Sequence, residues 1–277
     1  GQGTWSWIVP EGLWEIAKPL IPPLRVRPQG GGTQDTPDET VFAAIIYVLV
    51  CGCAWRALPP CFGISKSTAH RRFLIWSRAG VWGRLHEAVL HQLDDAGLLD
   101  VTRVALLDVT RVVLDSAHVR AKKGEHTGPS PVDRGKPGSK MHILSDANGL
   151  PLLVGLSAAN THDSEGLKPM VEATKRDTTR ITADISSPNA SADKAYDVPA
   201  LRKWLRGKRI GVRIARKGIE SSDRLGRHHW VIERTMSWLS GYRRLNHRYE
   251  RHPRNYLAFL TLAAALCCYK RLIRLTT

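Results

Sequence analysis

The sequence predicts a mixed α/β fold preceded by an all-helical domain, with the boundary near residue 100. Residues 1–100 contain only helical patterns, whereas residues 101–277 contain runs of β-branched residues separated by amphipathic stretches. The second part has the order three strands, helix, strand, helix, strand, helix. Strands that pair with each other first and then alternate with helices are typical of one sheet covered by helices. A chain of 277 residues is long enough for two such domains.

Two helices are predicted at the start of the helical domain. Apolar residues at helical spacing predict the first over residues 10–20, and a loop rich in Pro and Gly follows it. The second, over about residues 38–52, is apolar on nearly all sides, so we expect it in the core. Thr36 as N-cap, Pro37 at the first helical position and Glu39 as reciprocal partner predict a capping box at its start.

A third helix has the features of a DNA-recognition helix. Pro and Gly interrupt the chain at residues 59–63, and Ser65 then caps a helix over Lys66–Arg78 with a buried stripe of Ala69, Phe73 and Trp76. A helix over residues 83–99 closes the domain. The pattern predicts a helix-turn-helix, although any helical hairpin with a basic surface has the same pattern. The residues off the stripe that would contact DNA are Lys66, Ser67, His70 and Arg71.

The α/β part alternates strands and helices in an order that predicts an RNase H-like fold. Its first strand, over residues 112–119, contains Asp115 in an otherwise apolar run. A basic loop rich in Gly and Pro follows, and then a hairpin that turns at Asn148-Gly149. The later elements are a helix over 163–174, a strand over 178–184, a helix over 198–206 that begins after Asp193, a strand over 210–216, a helix that contains Glu233 and an apolar helix over 256–269.

The charge balance predicts a polyanionic partner. The formal net charge is +16 and the isoelectric point is about 10.1. Residues 202–254 contain 16 Lys and Arg against four acidic residues, so most of the surplus surrounds Glu233. The five cysteines are odd in number, which indicates a reducing compartment. We expect no signal peptide, and the longest apolar stretch, of 14 residues, is too short to span a bilayer.

Three carboxylates lie on elements that the predicted fold brings together. Burial of the Asp115 carboxylate within a strand costs free energy unless the carboxylate is paired with a cation or bound to a metal. Asp193 follows a neighbouring strand, and Glu233 lies on a helix that packs over both. Such carboxylates are suited to two Mg²⁺ ions that cut a phosphodiester. Taken singly, each carboxylate is better explained by an ordinary ion pair, and the alternative acidic residues are Asp108, Asp133, Asp146, Asp163, Asp184 and Asp197.

The segments "VVLDSAHVRAKKGEHTGPSPVDRGKPGSKMHILSDANGLPL", "AANTHDS", "ADKAYD", "RIARKG" and "HHWVIERTMSWLSGYRRLNHRYER" resemble Asp-Asp-Glu (DDE) transposases of bacterial insertion sequences. The nearest group is the fifth insertion-sequence family. The resemblance implies an RNase H-like core after a helix-turn-helix domain. It implies that Asp115, Asp193 and Glu233 hold two Mg²⁺ or Mn²⁺ ions. Asp184 is the alternative second ligand, because it ends a better strand pattern, "RITAD", than the segment before Asp193. The implied reaction is nicking at the element ends and attack of the freed 3′-hydroxyl on target DNA.

The resemblance also implies the partners: double-stranded DNA of the terminal inverted repeats and of the target, and a second copy of the chain on DNA. It implies the bacterial cytoplasm and nucleoid as location, with no membrane contact. A DNA-binding protein without chemistry and a host repair nuclease or resolvase remain alternatives. We expect Trp230 and Trp238 in the core, with stacking of Trp230 on a flipped base as the alternative. Beyond the recognition helix, the predicted DNA contacts are Lys122, Lys123, Arg134, Lys136, Lys140, Arg216, Lys217, Arg227, Arg234, Arg243, Arg244 and Arg248.

Overall fold

The structure is a computed structural model of the chain. It describes residues 4–23, 36–99, 111–163, 165–166, 169, 189–192, 199–200, 203, 211–214 and 222–276. For residues 111–114, 189–192, 211–214 and 222–229 only the backbone is described.

Six helices and seven strands make up the described fold. The helices are α1 Leu13–Ala17, α2 Asp38–Cys51, α3 Lys66–Arg78, α4 Val81–Asp95, α5 Ser222–Ser240 and α6 Pro253–Thr276. The strands are β1 Arg111–Ala121, β2 Gly128–Pro129, β3 Pro137–Ser145, β4 Pro151–Ala158, β5 Asn189–Ala192, β6 Gly211–Ile214 and β7 His247–Arg248. The predicted mixed α/β fold is confirmed.

Strand β1 lies at the centre of the sheet. It pairs antiparallel with β3, which pairs antiparallel with β4 and with the short β2. On its other side β1 pairs in parallel with β5 at its start and with β7 at its end. Strand β6 continues the parallel set beyond β5. The sheet therefore has an antiparallel half and a parallel half that meet at the strand bearing Asp115.

The two predicted helix caps have different outcomes. Ser65 caps α3 as predicted, because its hydroxyl accepts a hydrogen bond of 3.0 Å from the Thr68 amide. The capping box of α2 is wrong: the N-cap is Pro37, and no side chain caps this end. Asp38, in the first turn, instead forms an ion pair with Arg72 of α3, which is buried. The ion pair of Asp38 in this first turn therefore holds α2 against α3.

Helix α6 lies in the middle of one continuous core. Its buried side chains, Tyr256 and Phe259 among them, belong to the same apolar cluster as α2, α3, α4, β1 and β3. It packs along α4 and β4 and also contacts α3 and α5. The predicted buried helix over 256–269 is thus confirmed, within a longer one. By length and mean hydropathy, 1.5, α6 would suffice to cross a membrane, but 67% of that stretch is buried inside the protein.

The buried imidazole of His86 joins α4 to the sheet and to α6. Its Nε2 atom lies 2.8 Å from the Pro151 carbonyl oxygen, and the Cys268 thiol lies 3.9 Å away. Burial lowers the pKa of His86 to about 4, although the hydrogen bond to Pro151 opposes the shift. His86 is therefore a neutral donor in the folded protein at physiological pH.

We predict that His86 makes the fold sensitive to mild acid. Below its ordinary pKa of about 6.5 the unfolded chain binds a proton that the folded protein does not take up until about pH 4. The free energy of unfolding therefore decreases as pH falls through this window, by up to about 1.4 kcal/mol per pH unit. Urea unfolding at pH 7.5 and 5.5 should show about 1 kcal/mol more loss in the wild type than in His86→Gln, which keeps an N–H donor. Equal losses would contradict this.

Candidate active site and nucleic-acid surface

One face of β1 carries Asp115 and meets helix α5. Side chains alternate along a strand, so Asp115 shares its face with Ala117 and Val119. In the register of the sheet Asp115 lies opposite Ile143 of β3. Val119, Ile143 and Ile232 of α5 belong to one buried cluster. Helix α5 is therefore packed over the face of the sheet from which the Asp115 carboxylate projects.

Glu233 lies on α5 above this face. It is exposed, and it borders a cavity of about 380 Å³, here called the Glu233 cavity. The floor of the cavity is the middle of β1 and β3, and its other wall is the last part of α5. The described lining residues are Ala117, His118, Val119, Met141, Met236, Ser237, Ser240, Leu245 and Asn246. Asp115 is half-buried and accepts a hydrogen bond of 2.7 Å from the Ser116 amide.

The second predicted carboxylate, Asp193, lies outside the described residues, and so does its rival Asp184. The strand before Asp193 is described. β5 runs parallel to β1, and its last residue, Ala192, pairs with Leu114, the residue before Asp115. From its sequence the segment before Asp193 is a poor strand, but β5 forms there because β1 and β6 flank it on both sides.

The described rival carboxylates have structural partners. Asp133 forms an exposed ion pair with Arg120, at 2.5 Å. Asp146 is fully buried and accepts hydrogen bonds from the amides of Asn148 and Leu150. Asp163 bonds Ser116 and Lys140 at 2.8 and 2.7 Å. Because Ser116 projects from the face of β1 opposite Asp115, Asp163 lies on the other side of the sheet. Asp108 and Asp197 lie outside the described residues.

Lys140 is held inside the protein by this cluster. Its ammonium group donates to the Thr161 carbonyl oxygen at 2.8 Å and pairs with Asp163, and it is buried. Burial opposes ionisation of Asp163, but the bonds from Lys140 and Ser116 outweigh it and lower the pKa of the carboxyl. Nearby His142 is buried, which lowers its pKa to about 4. The predicted phosphate contact of Lys140 is therefore wrong for this structure, since the cation is already neutralised within the sheet.

The turn between β3 and β4, residues 146–150, holds α5 in place. Its backbone forms a bond of 3.1 Å from the Gly149 amide to the Asp146 carbonyl, so the predicted Asn148-Gly149 hairpin is present with a longer loop. The buried Thr235 hydroxyl donates to the Gly149 carbonyl oxygen at 2.6 Å. The Arg234 guanidinium donates to the Asn148 carbonyl oxygen at 2.5 Å. Glu233 directly precedes these two anchors, so the turn positions it.

Gly149 is required at this docking point. Its φ is +83°, which favours glycine, and a Cβ there would lie 2.8 Å from the Thr235 hydroxyl oxygen. The Asn-Gly pair therefore serves two purposes, since it turns the hairpin and allows the helix to approach the turn closely.

The predicted DNA-contacting residues fall into three groups. Those with exposed side chains are Lys66, Ser67, His70, Arg71, Lys122, Lys123, Arg134, Lys136 and Arg243. Arg216 and Lys217, and the side chain of Arg227, lie outside the described part of the chain. Lys140, Arg244 and Arg248 are buried, and Arg234 is half-buried.

Arg244 and Arg248 are structural, which corrects their prediction as phosphate contacts. Arg244 donates two hydrogen bonds to one oxygen of buried Glu250, at 2.9 and 2.6 Å, and one to the Cys53 carbonyl oxygen at 2.8 Å. Arg248 is 1% exposed, and its bonds include one of 2.7 Å to the Ser139 hydroxyl. Both guanidinium groups join the segment after α5 to distant parts of the chain. If either group bound a DNA phosphate instead, these buried bonds would break and the core would open.

Trp230 and Trp238 are not in the core, contrary to prediction. They are 51% and 37% exposed, and they lie on one side of α5 with Arg234 between them. The guanidinium carbon of Arg234 is 4.4 Å from the Trp230 ring centre and 5.0 Å from that of Trp238. We call these three residues the tryptophan ladder. The helical spacing was visible in the sequence, but periodicity alone does not distinguish a buried from an exposed stripe.

The donor chemistry of the site suits hard divalent cations. Asp115 and Glu233 offer carboxylate oxygens on the same side of the sheet, and the cavity beside Glu233 extends over Ala117, the next residue of β1 on the face of Asp115. Within the described residues no group of three or more His, Cys, Asp or Glu side chains is placed to hold a metal. The predicted set depends on Asp193 as its third member, which the described part of the chain does not include.

Comparison with known proteins defines the class. Residues 102–268 match the family described as "Transposase DDE domain", and residues 9–86 match "Putative transposase of IS4/5 family". The first match covers β1 to β7, α5 and most of α6. The chain therefore belongs to the DDE transposase family, and its function is that of a DNA transposase.

Two relatives come from Burkholderia cepacia. A protein named "Putative transposase for insertion sequence element IS402" is 40% identical over 149 residues, which cover 53% of this chain and 71% of the relative. "Insertion element IS402 uncharacterized 16.2 kDa protein" is 34% identical over 127 residues, 45% of this chain and 81% of the relative.

Among solved structures, the catalytic domain of Mos1 mariner transposase overlaps 68% of this chain and 89% of its own, at 11% identity and a TM-score of 0.30. A Mos1 paired-end complex with Mn overlaps 89% of this chain and 82% of its own, also at 11% identity, with a TM-score of 0.29. The family assignment rests on the sequence matches.

We predict that Thr235 controls the position of Glu233. Thr235→Val keeps the branched shape but removes the bond to the Gly149 carbonyl, at a cost of about 1–3 kcal/mol for a buried group left unsatisfied. Thermal unfolding should show this loss, and DNA cleavage measured well below the melting temperature should also decrease. Thr235→Ser keeps the hydroxyl and should recover most of the cleavage. If Thr235→Val cleaves DNA like the wild type, the docking contact does not position Glu233.

Proposed function

We propose that this transposase uses Asp115, Asp193 and Glu233 to cut the ends of its element and to join them to target DNA. The observation that carries the proposal is the juxtaposition of α5 and the two parallel strands. Glu233 borders a cavity whose floor is β1, and Asp115 projects from the same face of β1. β5 ends beside Leu114, and Asp193 is the next residue in sequence. This register favours Asp193 over Asp184 as the second ligand.

The proposed cofactor is a pair of Mg²⁺ or Mn²⁺ ions held by the three carboxylates. Bound there, the ions would supply Lewis-acid activation of the attacking oxygen and stabilise the leaving oxygen. The chain itself fixes the ligands on rigid elements. Asp115 lies on the central strand, and Glu233 lies on a helix anchored through Thr235 and Arg234. Such fixed positions align the reacting oxygens in line on either side of the phosphorus.

Apolar protein groups line part of the site. Ala117, Val119, Met141 and Leu245 present apolar atoms to the Glu233 cavity beside its polar lining residues. An apolar floor strengthens the attraction between carboxylates and cations, because it lowers the local dielectric constant. The first reaction is hydrolysis, with water as nucleophile, and the second uses the freed 3′-hydroxyl, so the cavity accepts either oxygen at one position.

The proposed DNA contacts follow from the exposed basic residues. Helix α3 presents Lys66, Ser67, His70 and Arg71 on its exposed side as the recognition helix of a helix-turn-helix, in a helical domain of residues 1–100. The catalytic domain covers residues 101–277 and is RNase H-like. It would contact phosphates through Lys122, Lys123, Arg134, Lys136 and Arg243.

The proposed partners are the terminal inverted repeats, the target DNA and a second copy of the chain on DNA. The fifth insertion-sequence family is the proposed subgroup, with the bacterial nucleoid as location.

We predict that the three carboxylates are needed for cleavage but not for binding. Asp115→Asn, Asp193→Asn and Glu233→Gln keep shape and remove the charge that a metal needs. Each should reduce Mg²⁺-dependent nicking of DNA carrying the element ends by more than the roughly 10–100-fold typical of changes around metal ligands. Gel-based nicking assays and duplex binding by fluorescence anisotropy measure the two properties separately.

Asp133→Asn is the matched control, since it removes a carboxylate that forms an ion pair with Arg120 and does not border the Glu233 cavity. It should nick DNA like the wild type. Nicking that survives in all three site variants would exclude the mechanism. A wild-type protein that binds the ends but never nicks them would instead indicate a DNA-binding protein without chemistry.

We predict that helix α3 contributes to the salt dependence of duplex binding. The double variant Lys66→Glu/Arg71→Glu should lower the slope of log K against log salt by about 2, since each lost phosphate contact removes about 0.9. Lys18→Glu, which reverses an exposed cation outside the predicted surface, should leave the slope unchanged. Anisotropy titrations from 50 to about 200 mM salt provide the measurement. An equal effect of the two reversals would remove α3 from the interface.

A further inference from the structure

A second cavity lies on the other side of α5 from Glu233. It has a volume of about 320 Å³ and is bordered by the end of α5, the end of α2 and the last turns of α6. Its described lining residues include three exposed cations and no acid: Lys270, Arg271 and Arg274. Trp238 and Tyr242 form aromatic walls, and the Lys270 ammonium lies 5.3 Å from the Tyr242 ring centre. We call this the basic cavity.

The tryptophan ladder runs along α5 and reaches the basic cavity. Trp238, its last member, borders that cavity, and Trp230, its first member, lies three residues before Glu233 on the same helix. Trp230 and Trp238 are eight residues apart, which corresponds to about 12 Å along a helix. An aromatic and cationic track therefore leads from one helical turn before Glu233 along α5 to the end of α6.

Arg234 covers part of each indole ring of the ladder, but both tryptophan side chains remain partly exposed to solvent. Arg234 is fixed at one end by its bond to the Asn148 carbonyl, and its guanidinium lies against both indoles. Indole rings of this size are normally buried, because each removes 150–250 Å² from water. Rings held in place and left half-exposed are suited to a planar partner that stacks on them.

We propose that this track binds single-stranded DNA that leaves the active site, with bases stacked on Trp230 and Trp238 and phosphates on Lys270, Arg271 and Arg274. Stacking requires bases whose faces are free, which a duplex does not offer. The three cations contact phosphates of the DNA backbone, which are the same for every base, so the track binds single-stranded DNA of any sequence. This inference rests on the proposed function, since cleavage at the element ends generates a strand end, which the track would hold once its bases have separated from the complementary strand.

The test is binding of fluorescent oligo(dT) and of a duplex of equal length, measured by anisotropy in EDTA, where no cleavage occurs. Trp238→Ala should weaken oligo(dT) binding about 5- to 100-fold, the range for loss of one stacked base. Trp238→Phe keeps a stacking ring and should recover most of the affinity. Trp7→Ala is the matched control, because Trp7 is another exposed indole, in the helical part. It should leave oligo(dT) binding unchanged.

Arg274→Glu tests the cationic end of the track, with Lys18→Glu as its control. Arg274 is exposed near the end of α6, so its reversal should leave the fold intact. Arg274→Glu should lower the slope of log K against log salt for oligo(dT) binding by about 0.7, the value for one phosphate contact on a single strand. Duplex binding should change less than oligo(dT) binding in both Trp238→Ala and Arg274→Glu. Equal losses for the two DNA forms would overturn the proposal in favour of a duplex-binding surface.

The experiment separates this inference from the proposed catalysis. If the carboxylate variants lose nicking while Trp238→Ala binds oligo(dT) like the wild type, the track is refuted and the active site stands. If Trp238→Ala and Arg274→Glu lose oligo(dT) binding while the carboxylate variants still nick DNA, the track stands and the active site is refuted.

Discussion

The contact between α5 and the 146–150 turn is the interaction on which the candidate site depends. Glu233 is far from Asp115 in sequence, and the apolar packing of α5 on β1 and α6 is supplemented by directional bonds to this turn. Two carbonyl oxygens of the turn, from Asn148 and Gly149, accept bonds from Arg234 and Thr235. The Thr235 bond is buried, so its loss leaves a polar group unsatisfied, whereas the Arg234 bond is exposed. The part of α5 that carries Glu233 and Arg234 is therefore held against the sheet at one hairpin turn.

A basic sequence segment serves two unrelated purposes in this molecule. Arg244 and Arg248 lie in the same run of cations as Arg243, yet they are buried and bonded to Glu250 and to backbone carbonyls. A buried guanidinium needs such partners, because removal of a charge from water costs several kcal/mol (about 3–5 when a partner is lost). Much of the local positive charge is thus used to close the core behind the site. Only the exposed remainder is free to meet phosphate.

The sequence predicted the elements near the site well where a local signal existed. Ser65 marks the start of α3, Asn148-Gly149 marks the hairpin, and the buried stripe of α3 follows its helical period. The capping box at Thr36 failed because an ion pair with Arg72 uses the first turn of α2 instead. The strand before Asp193 was underestimated because its pairing partners, β1 and β6, are distant in sequence. Contacts between residues distant in sequence determine whether such a strand or helix cap forms, and a local sequence pattern does not show these contacts.

Which side of a helix faces water was the least predictable property. Trp230 and Trp238 have the composition of a core stripe, and Arg244 and Arg248 have that of a surface. Each assignment is reversed in the structure, because the choice depends on what packs opposite. The groups that pack against the two arginines are Glu250 and the carbonyl groups around β3. The group that packs against the two tryptophans is Arg234, which is bonded to the 146–150 turn.

The central place of α6 has a consequence for synthesis of the protein. Its 24 residues fill the space between α4 and β4, yet the ribosome makes them after every element they cover. Until they emerge, the nascent chain exposes the apolar sides of α2, α4 and β4, a state that favours aggregation or degradation. Contacts of such long sequence separation also form slowly. Formation of the core is thereby tied to synthesis of α6, so a chain that stops ahead of Pro253 leaves these apolar sides exposed.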